Sequence, residues 1–578
     1  MDECLVQFDR GYGVSHTVVL EYVSGEQEEV RLELRSRCMD IFIPTSIGGK
    51  VMHKFISSLG LSILLLSGNS WGATYYVNQT GGSDANNGLS TGSAWKTMAK
   101  VNASSFLPGD SILFKKGETW RETLMVPSSG IAGRVITFGA YGSGDAPIID
   151  GSDIVTGWTD GTSNIWIATV TTKPNQVFFN GTRGTEAANR AGVNGANKWW
   201  WDSNVLYAYS TSDADMAFTN PGIEASKRDW CGAIIEKSYI YVNGLDCRKS
   251  NTYGFAAQAW GNGTTVAGIK WDNVTVTNSG RDGFKLENGA SANTDNIIII
   301  RSTSSYNGGT GFLGANLKTG SNRITIENST FHHNGQLVDT YAIGVWNQSV
   351  ASNTYLTVKN CEVYAQKRLI SEGAGIQFDG NPTRGNIAEY NYVHDNEGGG
   401  IHSGYGGSDS NIVRYNLIVN NNNYGIAGYG GTNETKIYNN TIYGSVSPGG
   451  YSGIYLFTAG VYSVKNNVVV GNYNYGIDGN SGTNITCTNN LFYGYVTAAT
   501  HNVTCSSSVT SGPLFVSTVT RDFHLQAGSP AIDAGTGVGL TRDFSGNIVP
   551  FGSAPDIGAY EYTLLKIPKS PSNLIISP

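Results

Sequence analysis

The chain has 578 residues, of which 40% are hydrophobic and 14% charged, with 75 glycines and a formal net charge of −7. So little charge beside so much glycine excludes coiled coils and helix-covered surfaces, and an acidic balance without a basic cluster argues against nucleic acid as a partner. A single long apolar run excludes a polytopic membrane protein.

That run lies near the start. From Met52 the sequence reads Met-His-Lys, then an apolar core from Phe55 to Leu66, then small and polar residues through Ala73. A positive start, a short apolar core and a small-residue exit predict a signal peptide over 52–73, with no membrane span left after its removal. Residues 1–51, charged and unlike the rest, are expected to be a start called too early or an unstructured extension. An exported chain can form disulfides: Cys231 with Cys247 and Cys487 with Cys505 are near enough to lie on neighbouring segments, leaving Cys361 as a buried stack residue. No Cys-x-x-Cys pair occurs, so a zinc or redox site is not expected.

Residues 74–155 open with a strand at Thr74–Val77 and a turn-rich loop containing Asp84, Asn86 and Asn87. Ser93 is then placed to cap a short helix carrying Trp95, Met98, Ala99 and Asn102, which would cover the open end of the first coil of strands. The Asp/Asn loop lacks a full calcium-loop spacing and is expected to be a plain turn. Further strands are predicted at Ser111–Phe114, Thr123–Val126, Val135–Phe138 and Pro147–Asp150. Over 156–230 the pattern changes to alternating runs such as Val205–Tyr209 beside Trp199, Trp200 and Trp201, which predicts an inserted antiparallel β lobe whose tryptophans pack at a seam.

Residues 231–510 repeat. A glycine followed by an apolar residue returns as Gly254-Phe255, Gly283-Phe284, Gly311-Phe312, Gly344-Val345, Gly375-Ile376, Gly400-Ile401, Gly425-Ile426, Gly453-Ile454 and Gly476-Ile477. The intervals of 23 to 33 residues are too uneven for helical hairpins, but a coil of short strands tolerates loops of differing length. A second column, Asn391, Asn416, Asn440, Asn467 and Asn490, suits tight turns whose side chains hydrogen-bond along a stack. With short β-branched runs between the columns, the pattern predicts an all-β fold, a parallel β-helix in which only stacking makes a core. Residues 511–562 are non-repetitive and cap-like, and 563–578 form a proline-punctuated, linker-like tail.

Tyr75-Tyr76-Val77 with Gly82-Ser83-Asp84, the Pro108-Gly109-Asp110 turn, the Asn-rich coils and the ending from Ser529-Pro530-Ala531-Ile532-Asp533 to Asp556-Ile557-Gly558-Ala559-Tyr560-Glu561 carry a resemblance. They resemble bacterial secreted right-handed parallel β-helix proteins of the pectate-lyase-like superfamily, over about residues 74–562. The resemblance implies a single-stranded right-handed solenoid with an N-terminal helical cap and a secreted, cell-surface or periplasmic location. Its activities range over polysaccharide lyases, glycoside hydrolases, epimerases and non-catalytic surface proteins. The aspartate clusters and arginine-x-lysine pattern of polygalacturonase-type hydrolases are not evident.

If the residue after each glycine points inward, the next points out. That first outward column reads Ala256, Lys285, Leu313, Trp346, Gln377, His402, Ala427, Tyr455 and Asp478; the second contains Gln258, Glu287, Ala315, Gln348, Asp379, Gly404, Tyr429 and Phe457. One long exposed face results. Asp379, Glu397, Glu372, His402 and Lys285 are its candidate catalytic residues, and Trp346, Gln348, Gln377, Tyr429 and Arg281 would bind substrate. Glu372 and Glu397 occupy equivalent places on adjacent coils, near enough to act as a glycosidase pair and to raise one another's pKa. A lyase would instead use Lys285, Arg281 or His402 as base, with Asp282 and Glu287 as calcium ligands. No cofactor is required, calcium being the one candidate ion. The expected function is cleavage of an extracellular polysaccharide by a monomeric hydrolase or lyase, and the alternative is a non-catalytic adhesion protein.

Overall fold

The computed structural model describes residues 72–563, apart from short internal segments at 262, 290–291, 318–322, 347–351, 354, 371–372, 381–382, 405–408, 445–449, 458–459, 472, 480–483 and 496. It also describes strands Cys4–Phe8, His16–Val23 and Glu29–Leu34. The chain divides into two units, 1–71 and 72–578. In the first, the three described strands pair antiparallel; β-branched and aromatic residues in 16–23 and polar–apolar alternation in 29–34 favour strands. The expected signal peptide lies outside the described residues except for Gly72 and Ala73, as does the tail from 564.

The second unit is a right-handed parallel β-helix. Among its described residues three long parallel sheets run its length: a front sheet of 12 strands from Leu124–Met125 to Ala498–His501, a side sheet of 14 from Thr74–Val77 to Cys505–Ser506, and a back sheet of 12 from Thr119–Trp120 to Leu491–Tyr493. One coil passes through Phe284–Asn288 in front, Asn293–Ile300 at the side and Thr303–Ser305 behind, and returns to the front at Phe312–Ala315. Inside the front sheet, Phe255, Phe284, Phe312, Ile343, Ile376, Ile401, Ile426, Ile454 and Ile477 stack in register and are buried. Each such side chain contributes about 1.5–3 kcal/mol by leaving water, and only the neighbouring coils make that burial possible.

The glycine column has a steric cause. A Cβ on Gly425 would sit 2.3 Å from Ile442 Cγ2 and 2.8 Å from the Gly453 carbonyl, because the coil turns a tight corner there. Gly344 is the exception. Ile343, not Val345, pairs with Phe312 and Ile376, so Gly344 itself faces outward between Leu313 and Gln377. The expected register is therefore two residues out on this coil, which keeps Trp346 outward but moves it to the second outward column; Gln348 lies outside the described residues.

The asparagine column forms a buried ladder. Side-chain amides donate from Asn391 to Asn416 (3.0 Å), Asn416 to Asn440 (2.9 Å), Asn440 to Asn467 (2.9 Å) and Asn467 to Asn490 (3.0 Å). The left-handed turn residue is the one before each: Tyr390, Tyr415, Asn439, Asn466 and Asn489 have φ from 48° to 57°.

At the N-terminus the cap helix is shorter than expected, Met98–Asn102, with Thr97 rather than Ser93 as its N-cap. The cause is Asp84, whose carboxylate takes the amides of Lys96 (2.8 Å) and Thr97 (3.0 Å) and the Thr97 hydroxyl (2.7 Å), holding the chain out of helix until residue 98. Met98 and Val101 close the end of the core beside Trp95 and Phe106. The inserted lobe is two small, mainly antiparallel sheets spanning Ser152 to Ser226, starting a few residues earlier than expected. Trp199 fills its core with Val177, Phe179 and Leu206. Cys231–Cys247 and Cys487–Cys505 are disulfides, and Cys361 is free and buried.

The C-terminal segment does not close the end of the coil. It folds back along the outside of the back sheet, where Leu525, Ala531 and Ile557 cover Val468, Val470 and Leu491, while Phe523, Ala559 and Tyr560 cover Leu417 and Val419. Those back-sheet residues are apolar on both faces, and the outer face needs this cover.

Candidate functional site

The front sheet carries the candidate site on its outer face. Inward Ile376, Phe378 and Ile401 lock the strands, so Gln377 and His402 point out side by side on adjacent strands. Asp379 comes next at the end of its strand, its amide donating to the Val345 carbonyl at 2.9 Å. Its Oδ1 accepts from the Gly380 amide (2.6 Å) and its Oδ2 from Gln377 Nε2 (3.3 Å). Burial raises the Asp379 pKa, against the lowering by these two hydrogen bonds.

His402 is 7% exposed, and neither ring nitrogen has a hydrogen-bond partner among the described residues. Burial pushes its pKa down to about 3, so the ring is neutral and offers one donor and one acceptor. Gln377 Oε1 is likewise buried and unpartnered among the described residues. Aromatic rings surround the pair: Tyr429 lies 4.8 Å and Tyr424 5.9 Å from the His402 ring, and Phe457 stacks on Tyr429 at 4.5 Å. Trp346, 37% exposed, stands in the Asp379 column one strand away.

The face is less open than the sequence suggested. Lys285, Gln377 and His402 are outward but buried, with the Tyr253 ring beside Lys285 and the Tyr424 and Tyr429 rings beside His402. Lys285 Nζ lies 3.7 Å from Asp282 Oδ2 and 5.4 Å from the centre of the Tyr253 ring. Asp282 Oδ1 accepts from the Thr310 amide (3.0 Å), Glu287 Oε2 accepts from Gln258 Nε2 (3.4 Å), and Arg281 is exposed. Three strand steps separate Lys285 from Gln377, roughly 14 Å at about 4.8 Å each. The structure therefore assembles Gln377, Asp379, His402, Tyr429 and Trp346 as one group and Lys285, Asp282, Glu287 and Arg281 as another. Among the described residues no group of three or more His, Cys, Asp and Glu side chains could hold a metal ion.

Glu397 departs from the expectation of a raised pKa. Its carboxylate is 2.5 Å from Lys367 Nζ and accepts the Arg368 amide at 3.0 Å, and these contacts hold its pKa down against the opposing effect of burial. Its expected partner Glu372 lies outside the described residues. Sequence periodicity missed Tyr424, which precedes its front strand, and Tyr253, which opens the strand Tyr253–Ala259; their position just before a corner glycine was the available signal.

A family model described as "Right handed beta helix region" matches residues 256–442. A lacto-N-biosidase of Bifidobacterium longum subsp. longum is 41% identical over 80 residues, 13% of this chain and only 5% of that protein's length. Among solved structures, the complex of XylC with xylose superposes with a TM-score of 0.58 at 13% identity, covering 76% of this chain and 86% of that one. Pectate lyase Pel9A is 17% identical with a TM-score of 0.45, covering 86% and 98%. The family model and the XylC likeness agree with the β-helix of three parallel sheets. Among the described residues no helix is long and apolar enough to cross a membrane.

Proposed function

Starting from a chain that is a right-handed parallel β-helix, we propose that it cleaves glycosidic bonds of an extracellular oligo- or polysaccharide as a glycoside hydrolase, with Asp379 as general acid. The observation that carries this reading is the cluster of Asp379, Gln377 and His402. A carboxyl with a raised pKa adjoins two buried side chains, three of whose four polar atoms find no partner among the described residues. Buried polar groups are rarely left unpaired, and sugar hydroxyls, which donate and accept, would satisfy both the neutral imidazole and the amide oxygen. Tyr429, Phe457 and Trp346 supply apolar surface for sugar rings. The relative named for lacto-N-biosidase activity supports a hydrolase of this kind. The two disulfides suit a secreted or cell-surface location.

In this mechanism Asp379 gives its proton to the glycosidic oxygen as the bond breaks, Gln377 steadies the carboxyl, and His402 holds a hydroxyl of the adjoining sugar. Glu397, already anionic, and Glu372 are the candidates for the second carboxylate. Asp379→Asn is expected to lower kcat by roughly 10²–10⁴-fold, read as reducing sugar released from a panel of neutral and acidic oligosaccharides. An unsaturated, ultraviolet-absorbing product would identify a lyase instead and move attention to Lys285. No product from any substrate would leave the adhesion reading.

A further inference from the structure

Arg183 stands at the seam between the inserted lobe and the β-helix. Its Nε donates to Gln176 Oε1 (3.1 Å) and its Nη2 to the Tyr306 carbonyl (2.5 Å), while the guanidinium carbon lies 5.8 Å from the centre of the Phe178 ring. Gln176 is itself buried and fixed by donating to the Ser250 carbonyl at 3.0 Å, so the fork is held in place before any ligand arrives. Every acceptor is neutral. The other cation over Phe178, Lys249, is occupied by Glu224. Among the described residues no carboxylate pairs with Arg183, and its Nη1 has no protein acceptor. Half-buried charges are normally paired; burial alone already lowers this guanidinium's pKa to about 10.

Tyr306, whose carbonyl accepts from Arg183, brings an exposed aromatic side chain to the same seam. It is 43% exposed with a φ of 55°, a left-handed conformation that costs a non-glycine residue about 1–2 kcal/mol. Its ring is stacked at 4.7 Å on His333, which is left-handed too. The left-handed φ is the regular geometry of this corner, shared by Asn278, Asp395 and Asn420 on other coils; what is particular to Tyr306 is an exposed aromatic ring beside the Arg183 seam.

We infer that Arg183 and Tyr306 form a subsite for an acidic sugar unit, the guanidinium forking onto its carboxylate or sulfate ester and the Tyr306 ring supporting the sugar. Arginine suits this role because its planar donors match two oxygens of such an anion. The subsite rests on the protein binding carbohydrate, as proposed above, but not on Asp379 being the acid.

Titration calorimetry on the full chain carrying Asp379→Asn, which prevents turnover, tests it. The ligands are a galacturonate trimer, a sulfated galactan oligosaccharide, a neutral xylo-oligosaccharide and inorganic sulfate. At least one acidic oligosaccharide should bind, more weakly as salt rises. Arg183→Met should raise its Kd tenfold or more and leave neutral-sugar binding unchanged, with Arg183→Lys intermediate and both variants melting as the parent does. The trimer and the sulfated sugar distinguish carboxylate from sulfate recognition. Equal affinity in Arg183→Met, or no acidic oligosaccharide bound at millimolar concentration, overturns the subsite; inorganic sulfate binding as tightly as the sugar overturns the role of Tyr306. Loss of all sugar binding would overturn the carbohydrate reading too, whereas an active Asp379→Asn enzyme would overturn only the catalytic assignment.

Discussion

His402 shows what a buried, unpartnered imidazole costs its fold. An imidazole folded with a pKa near 3 and unfolded near 6.5 binds fewer protons in the native state. Its contribution is therefore fully present above about pH 6.5 and is lost as the pH falls toward 3, at up to about 1.4 kcal/mol per pH unit. Burial pushes His332 down to about 4 in the same direction. His402→Gln should accordingly reduce the acid slope of stability by about one proton without abolishing it. Urea unfolding at pH 4, 5, 6 and 7 measures this, and an unchanged slope would show that His402 is not held neutral. Asp379 runs the other way: a raised carboxyl binds its proton more tightly folded than unfolded, so rising pH costs stability while it also removes the proton of the proposed general acid. The outward direction of Gln377, Asp379 and His402 was legible in the two-residue period of a strand. Their burial was not, because it depends on side chains from other coils, such as Tyr429 against His402.

At the scale of the element, the asparagine ladder ties each coil to the next. Asn440 Oδ1 accepts both the backbone amide of Asn416 (3.0 Å) and its side-chain amide, while Asn440 Nδ2 reaches the Val413 carbonyl (2.9 Å) and Asn467. Asn440→Ala leaves buried groups above and below without partners, at about 1–3 kcal/mol for each orphan. Its denaturation midpoint should fall well below that of an exposed control such as Val519→Ala, at a side chain that is 92% exposed. Equal midpoints would mean that the ladder adds nothing to the stacked core. Spacing in the sequence revealed this column, since stacked turns repeat once per coil. The same logic slipped at Gly344, where a glycine seated against the Tyr341 ring, with a Cβ 2.3 Å from it, imitates the corner glycine of its neighbours.

For the whole molecule, the return segment is the part whose hold varies with pH. Burial pushes Glu561 up to about 7, against the lowering by the amides of Phe551 (2.9 Å) and Asp556 (3.0 Å), and nearby Asp556 and Asp543 raise it further. Burial brings Asp556 to about 6. Both carboxyls bind protons more tightly folded than unfolded, so their effect favours the folded segment below about pH 4 and turns against it as the pH rises through 6 to 7. Proteolysis within 511–562 should be faster at pH 8 than at pH 5.5, relative to an unstructured peptide control, and Glu561→Gln should narrow that difference. A pH-independent ratio in the parent would remove this segment's carboxyls from the account. Its apolar Ile557, Ala559 and Tyr560 were visible in the sequence, but a non-repetitive ending reads as an end cap, and nothing local says that it turns back along the side.

The sequence by itself determined the coil, because a parallel β-helix is quasi-one-dimensional: each turn must present glycine, an inward apolar residue and asparagine at recurring positions, and these print their period on the chain. Tertiary structure alone decided which outward residues become a site. Gln377 and His402, 25 residues apart in sequence, become neighbours by strand register, and Arg183 meets Tyr306 across 123 positions. A one-residue shift of register turns a side chain from face to core, and burial, which moves the pKa values of Asp379 and His402, comes from segments that sequence spacing does not bring together.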